Sequence, residues 1–362
     1  MRPIRTVGVI GAGIMGTAIA IEHARRSIPV VLMDKSPEAL RLAAAIASGE
    51  LAAAERCAGQ FTQRQPIVYT LDEADLAGCD LVLESIVEKA PAKQALFAQI
   101  RRHLSENTIL ATNTSSIPIA RLASGVADLG RFCGLHFCHP VRLRPLVEVA
   151  PGPATSPATV AAVVAHANFL GKLPMVVNDG HGFVVNRLLL TYLHEALAMV
   201  SSGMQMQQID GAMVDYGMPL GPLELLDEIG LDTALQSGVV LAEIFSERSG
   251  GIELLVRLVK AKQLGMKSGS GFYGYPGKTP NPTCGKIVEA LHGPQTRQAG
   301  ESAGPAEIVK RLLRPMVTEG ARMLQENQVA AAWQIDIATI FGLGFPLRRG
   351  GLLRPGELRG QF

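Results

Sequence analysis

The 362-residue chain is poor in charge. Only 18 % of its residues are Asp, Glu, Lys or Arg, and 34 basic against 32 acidic side chains leave a formal net charge of +2. So small an excess excludes a protein that binds nucleic acid by neutralising phosphates. Cysteine is scarce and odd in number: Cys57, Cys79, Cys133, Cys138 and Cys284, with no Cys-x-x-Cys pair. That spacing makes neither a disulfide framework nor a zinc ribbon, and it fits a reducing compartment. No clean apolar stretch reaches the roughly eighteen residues of a membrane helix. The longest uncharged run, Val149 to Gly171, is broken by three prolines, two glycines and a histidine, so no membrane partner is expected. Met1-Arg-Pro-Ile-Arg-Thr leads into an apolar strand without the marks of a signal peptide, and a cytoplasmic location is expected. What the chain does have is 48 % apolar residues, enough for a core, and a length that suits two or three domains.

The amino terminus has one clear reading. Thr6–Ile10 is a short β-rich apolar run. Gly11-Ala-Gly13-Ile14-Met15-Gly16 follows, then helical apolar spacing over Thr17–Arg26, then a second apolar run, Pro29–Met33, ending at Asp34. Strand, glycine turn, helix, strand and acid make a dinucleotide-binding unit. Gly11 permits the tight turn, Gly13 lets backbone approach a pyrophosphate, and Gly16 lets the helix pack on the strand. The helix start, Ile14 and Met15 with Gly16, offers N–H groups and a positive dipole to phosphates. Asp34 lies 18 residues after Gly16, where its carboxylate can accept from ribose hydroxyls. A charge there repels a 2′-phosphate, so the expected cofactor is NAD rather than NADP.

Alternation continues. Ser36–Arg56 and Pro91–Leu104 are helical in spacing, and Pro66–Thr70, Cys79–Ser85, Thr108–Thr112, Arg131–Phe137 and Leu146–Val149 are strand-like. The expected fold is α/β, a Rossmann-type doubly wound, mostly parallel sheet, followed by an all-α domain. After about Asp179 helical spacing takes over, in Phe183–Val200, Met206–Asp215, Leu223–Ile229 and Thr233–Ile244. From Ala306 a second helical block repeats the first. Arg187 corresponds to Arg311, Glu195 to Glu319, Ile209-Asp210 to Ile335-Asp336, and Gly217-Met-Pro219 to Gly344-Phe-Pro346. Lys310 stands where the first copy has Asn186, so the second copy is read as structural. The expected divisions are 1–180 for the Rossmann domain, 181–291 for the first helical repeat, 292–305 for a linker and 306–362 for the second repeat.

Chemistry-bearing residues are concentrated in a few stretches: Asn113-Thr-Ser115-Ser116, Leu135-His136-Phe137-Cys138-His139-Pro140, Leu146-Val-Glu148-Val, and Gly182-Phe-Val-Val-Asn186-Arg187. Ser115 closes a strand at the carboxyl edge of the sheet, where open α/β sheets bind ligands. A histidine beside a carboxylate, His136 with Glu148, is the usual pairing for a general base whose imidazolium must be stabilised.

These motifs, with GAGIMG at 11–16, GMPLGPLELLD at 217–227 and KSGSGFY at 267–273, resemble the L-3-hydroxyacyl-CoA dehydrogenase family over nearly the whole chain. The last block, with GLGFPLRRGG, resembles the second carboxyl-terminal repeat of that family's longer members. The resemblance implies an NAD-dependent oxidation of a 3-hydroxyacyl thioester to the 3-oxoacyl thioester. His136 would take the hydroxyl proton as hydride leaves C3, and Glu148 would hold and charge-stabilise it. Ser115 and Asn186 would hydrogen-bond the substrate oxygen and the histidine. Glu88, Lys93, Asn113, Ser115, His139 and Lys267 match positions expected at the cofactor. No metal is expected. The family implies a homodimer through the helical domain, or here a monomer whose second repeat fills that face. A catalytically silent NAD-binding structural protein is the alternative from another class.

Three departures from the family bear on the substrate. His139 stands where the family usually has Asn. Arg142 and Arg144 replace an apolar segment, as a solvated loop or as guanidiniums that attract an anionic or very polar group. No lysine occurs between Lys35 and Lys89; only Arg41, Arg56 and Arg64 are basic where better-known members hold CoA phosphates on a lysine-rich arm. The carrier is therefore CoA or an acyl carrier protein, the latter with a small polar acyl group such as glyceryl in polyketide extender-unit synthesis. Cys133 and Cys138 are read as small buried thiols, the methionines 204, 206, 213 and 218 as helix-core residues, and Trp333 as core.

Overall fold

The amino-terminal pattern folds as its spacing dictates. In the computed structural model, which describes residues 3–58, 67–242, 252–292 and 303–353, β1 (Val7–Ile10) leads through the glycine turn into α1 (Ile14–Arg25) and then β2 (Val30–Met33). There follow α2 (Pro37–Ala58), β3 (Ile67–Thr70), β4 (Leu81–Glu84), α3 (Ala90–Ile100), β5 (Ile109–Thr112), α4 (Ile119–Leu122), β6 (Phe132–Phe137), β7 (Leu146–Pro151), α5 (Pro157–Phe169) and β8 (Leu173–Val176). Among the described residues these strands form one sheet in the order β3-β2-β1-β4-β5-β6-β7-β8. All neighbours are parallel except β6 and β7. Every residue of β1, β4 and β5 is buried. Their largely apolar character, VGVI, LVLE and ILAT, follows from helices covering both faces.

Two glycines of the first turn are required by close approach. A Cβ on Gly16 would lie 1.8 Å from the Gly11 carbonyl oxygen, and Gly11 itself has φ +106° with Ser85 backbone 2.5 Å from its would-be Cβ. α5 and β8 are additions to the sequence reading. The apolar residues of α5 are spread all round, so no stripe marks it as a helix.

The chain divides into two compact units, Met1–Phe183 and Val184–Phe362, three residues beyond the boundary expected at 180. The second holds α6 (Val185–Ser201), α7 (Met206–Tyr216), α8 (Pro222–Ile229), α9 (Leu231–Ala242), α10 (Ile252–Lys260), a small antiparallel pair β9 (Tyr273–Gly274) and β10 (Thr279–Pro280), α11 (Pro282–His292), α12 (Pro305–Gln325) and α13 (Ala332–Ile337). The expected linker falls largely on residues outside those described, as do the last nine residues of the second repeat.

The internal repeat is visible in reciprocal ion pairs. α6 packs along α12, and Arg187 donates to Glu319 (Nε–Oε1 2.7 Å) while Arg311 donates to Glu195 (2.6 Å). Each arginine of one copy meets the glutamate of the other, as a local twofold relation requires. The copies are not equal: Arg187 and Glu319 are buried and Glu326 adds a second acceptor at 2.7 Å, whereas the Arg311 pair is part-exposed. Removing one partner of a buried pair typically costs about 3–5 kcal/mol.

The GMPLGPLELLD and KSGSGFY motifs are structural here. Asp210 accepts from the Leu223 and Glu224 amides at the start of α8 and from the Tyr273 hydroxyl. Asp227 accepts from the Phe272 and Tyr273 amides and the Tyr275 hydroxyl. A Cβ on Gly271 would strike Asp227. In the second copy Asp336 takes the Leu353 amide (2.7 Å) in the same way. Trp333 corrects the sequence reading: it is 60 % exposed, because the repeat puts its position on the outer face of α13. Of the four methionines expected in helix cores, Met213 is buried within α7 and Met218 just past its end, whereas Met204 and Met206 are half-buried at its start.

Candidate active site

Parallel pairing places the carboxyl ends of β2, β1, β4, β5 and β6 along one edge of the sheet. Each loop leaving that edge carries residues singled out in the sequence.

At the end of β1, α1 starts at Gly13 with no side-chain cap. A Cβ on Gly13 would meet nothing within 4 Å. The turn therefore presents uncapped helix amides over open space, which fits a dinucleotide pyrophosphate. Ile14 is exposed and Met15 half-buried over the same turn. At the end of β2 the Asp34 carboxylate accepts from the Ala12 amide (2.7 Å) and the Ser36 amide (2.8 Å). These bonds pin it beside the glycine turn, as a ribose acceptor requires.

The end of β4 carries an acid that the sequence reading passed over. Glu84, fully buried, accepts from Lys93 Nζ (2.6 Å), the Ile86 amide (2.6 Å) and Thr112 Oγ1 (2.6 Å). Lys93 is itself buried and also meets Glu88 (3.3 Å). Glu88 in turn gathers the loop after β5: Thr114 Oγ1 (2.7 Å), the Ser115 and Ser116 amides (both 2.9 Å) and Ser116 Oγ (2.8 Å) all donate to it. Burial alone would raise the Glu88 carboxyl. The Lys93 ammonium and the hydrogen bonds from Thr114, Ser116 and Ser115 outweigh that and hold it below its ordinary range. Lys93 thus stands behind Glu88, and Glu88 sets the backbone on which Ser115 sits. Asn113 ties β5 to β6 by accepting from the Phe137 amide (2.8 Å).

The next strand pair holds the centre of the site. His136 on β6 is directly opposite Glu148 on antiparallel β7. Its Nδ1 lies 2.7 Å from Glu148 Oε2, with His136 6 % and Glu148 0 % exposed. A carboxylate only accepts, so Nδ1 carries a proton, and in the neutral ring the lone pair is on Nε2. Strand alternation explains the spacing: one hairpin loop separates two facing positions on the same side of the sheet. The His136 ring packs 6.0 Å from the Phe183 ring. Gly182 and Phe183 adopt positive φ, and the Gly182 amide donates to the Ser116 carbonyl (3.2 Å), so this turn is tied to the serine loop.

Cys138 joins this group unexpectedly, with its thiol, His136 and Glu148 offering atoms within 4.8 Å of one another. Burial, with Glu148 adding to it, pushes the Cys138 thiol well above its ordinary range. Cys138 follows the last residue of β6 and stands two residues after His136, so it continues on the same face, a signal available in the sequence once β6 was placed. Cys133 faces the core instead, its thiol pushed up to about 12 by burial.

His139 and Arg142 are exposed and Arg144 half-buried in the turn that joins β6 to β7. In the helical unit, Asn186 lies in the first turn of α6. Lys267 is half-exposed and ion-paired with Asp232 (2.5 Å). A cavity of about 470 Å³ lies between α2 and β3, lined by Leu40, Arg41, Tyr69 and Asp72 among others; in the sheet order β2, β1, β4 and β5 separate its strand from that of His136. Arg64 lies outside the described residues, as does the Arg56 side chain. Among the described residues, no helix is long and apolar enough to cross a membrane.

Residues 6–180 match the model of the 3-hydroxyacyl-CoA dehydrogenase NAD binding domain, and residues 182–275 match that family's C-terminal domain. The chain is 36 % identical over 367 residues to the fatty acid oxidation complex subunit alpha of Pseudomonas syringae pv. syringae (strain B728a), covering 98 % of this chain and 50 % of that protein. It therefore spans about half the length of that curated relative. The crystal structure of (S)-3-hydroxybutyryl-CoA dehydrogenase PaaH1 from Ralstonia eutropha is 36 % identical with a TM-score of 0.67, covering 75 % of this chain and 99 % of its own. That of 3-hydroxybutyryl-CoA dehydrogenase from Escherichia coli K12 is 26 % identical with a TM-score of 0.78, covering 95 % of this chain and 90 % of its own.

Proposed function

Because the chain belongs to the 3-hydroxyacyl-CoA dehydrogenase family, we propose that it interconverts a 3-hydroxyacyl thioester and its 3-oxoacyl thioester with NAD. The observation that carries this reading is the buried His136–Glu148 pair, 2.7 Å apart, at the ligand-binding edge of the sheet. NAD, when bound, supplies the hydride acceptor. The uncapped start of α1 and Asp34 hold the cofactor.

His136 Nε2 takes the proton of the 3-hydroxyl in the oxidative direction and returns it in reduction. Glu148 keeps the ring in the tautomer that leaves Nε2 basic, and its charge offsets the imidazolium that forms. Ser115, on the loop that Glu88 orders, and Asn186 hydrogen-bond the substrate oxygen, so that alcohol and carbonyl are both held in register. Asn113, Glu88 and Lys93 shape the wall of the cofactor side, with His139 as a further contact. The reciprocal Arg187–Glu319 and Arg311–Glu195 pairs support a monomer with an internal pseudo-dimer rather than a homodimer.

A second reading concerns the carrier. α2 has no lysine, and the turn after His139 carries Arg142 and Arg144. A small polar acyl group on the phosphopantetheine of an acyl carrier protein fits that charge placement better than a CoA nucleotide does. NADH formation measured with 3-hydroxybutyryl-CoA, 3-hydroxybutyryl carrier protein and glyceryl carrier protein tests both readings. Turnover of any of them supports the dehydrogenase. Efficient CoA turnover with none on carrier protein removes the carrier reading, and no NADH from any leaves an NAD-binding structural protein.

A further inference from the structure

The turn Cys138–Pro145 carries His139, Arg142 and Arg144. It begins two residues after His136. The Leu143 and Arg144 amides both donate to the Pro140 carbonyl (2.9 and 3.0 Å), and the Leu173 amide donates to the Pro145 carbonyl (2.8 Å). Two further carbonyls, Val141 and Arg144, are met by one side chain. Lys172, between α5 and β8 and 7 % exposed, donates from Nζ to the Val141 oxygen and to the Arg144 oxygen at 3.3 Å.

Glu22 of α1 lies 3.9 Å from the same ammonium. Two carbonyls accept from the ammonium, and the carboxylate offsets its charge from a longer distance. A buried cation is tolerated only when its donors are met in this way. Burial lowers the Lys172 pKa from its ordinary value. Glu22 and Cys138 pull it back up, and Arg26 and Arg25 push it further down. The group therefore sits in a crowded setting where a plain aliphatic side chain carries no desolvation cost. What an aliphatic chain cannot do is tie two carbonyls of a turn to a helix.

We propose that Lys172 is a positioning residue, a buried strut that fixes the Cys138–Pro145 turn beside His136 and so sets how tightly the thioester substrate binds. The strut acts on the turn, not on the reacting atoms. Its link to substrate rests on the dehydrogenase reading above, whereas the ordering of the turn does not.

The experiment compares the full-length protein with Lys172→Met, which keeps the chain length and removes the donors, and Lys172→Arg, which keeps donors. Trypsin can cut after Arg142, whose neighbour Leu143 is 71 % exposed, but not after Arg144, which precedes proline. Mass spectrometry of the fragment ending at Arg142 therefore reads the order of the turn without any assay of activity. In Lys172→Met that cut is expected about tenfold faster, matching one buried hydrogen-bonding group lost. The KM for 3-hydroxybutyryl-CoA, or for the carrier-bound ester if that is the substrate turned over, is expected to rise about tenfold with kcat within about threefold and the KM for NAD unchanged. Lys172→Arg should recover part of both effects.

Unchanged cutting after Arg142 in folded Lys172→Met overturns the strut. Faster cutting with an unaltered thioester KM overturns its link to binding. If the wild type turns over no thioester, the dehydrogenase reading fails while the cutting result still decides the strut. Hydrogen exchange in the wild type guards against a variant that does not fold: the Leu143 and Arg144 amides should be protected, and exchange at the rate of a free peptide would overturn the proposal.

Discussion

His136 and His23 are both buried in the same α/β unit, and they sit in opposite electrostatic settings. His136 faces a carboxylate. His23, on α1, donates from Nδ1 to the Ile19 carbonyl (2.7 Å), and its Nε2 lies 3.0 Å from His166 Nε2. Since a carbonyl only accepts, His23 Nδ1 holds the proton and its Nε2 accepts from His166. Burial drives the pKa of His23 down to about 4 and that of His166 down to about 3. Neither ring has a negative partner to offset a charge, so the pair is locked neutral and serves packing. His136, equally enclosed, has Glu148 to balance an imidazolium. The difference teaches that burial alone silences a histidine, and that the residue across the strand decides whether it can move a proton.

The largest expected effect breaks the active member of the comparison. His136→Ala should lower kcat about 10³-fold, within the range of general-base loss, with NAD affinity little changed. His23→Ala, if folded, should leave kcat near normal. A near-normal kcat in His136→Ala, measured by NADH formation under substrate saturation, would remove His136 from its role. The next effect is smaller. Glu148→Gln keeps an acceptor for Nδ1 but removes the charge, and kcat should fall about 10²-fold. Equal kcat in the two proteins would show that orientation, not charge balance, is what Glu148 contributes.

The silent pair has its own signature, in stability rather than rate. In the unfolded chain both histidines take up protons as pH falls below their ordinary 6.5, but in the folded chain they resist until about 4 and 3. The unfolded state therefore binds protons first. Their contribution to stability is complete above pH 6.5 and is lost as pH drops toward 4, by up to about 1.4 kcal/mol per pH unit for each ring. Urea unfolding between pH 7.5 and 5 should show this slope in the wild type and a flatter one in the double variant His23→Leu, His166→Leu. The same slope in both would mean that other groups cause the acid sensitivity.

Much of the site was legible before the fold was known, for identifiable reasons. Gly11, Gly13, Gly16 and Asp34 are spaced by the local geometry of one strand, one turn and one helix, and local geometry repeats wherever those elements meet. His136 and Glu148 could be paired because a hairpin brings facing positions together at a short separation. Glu84 was passed over because a single acid at a strand end carries no pattern; its meaning comes from Lys93 and Thr112, on two different elements. Lys172 likewise looked like an ordinary residue ending an uncharged run. Trp333 was misplaced because an isolated aromatic residue reads as core, and the face it occupies is set by how the second repeat packs.

The sequence by itself determined the dinucleotide unit, the doubled helical unit and the pairing of the central histidine with its acid, since each rests on periodicity or on contacts close along the chain. Tertiary structure decided the rest. It turned Arg187 and Arg311 into a reciprocal pair of clamps, one buried and one in solvent, and set Cys138 against the His136–Glu148 pair. It also placed Lys172 against the Cys138–Pro145 turn, with Glu22 supplied from a helix 150 residues earlier in the chain. Buried polar groups must find partners wherever the fold puts them, and which partners those are is a property of packing that spacing along the chain does not contain.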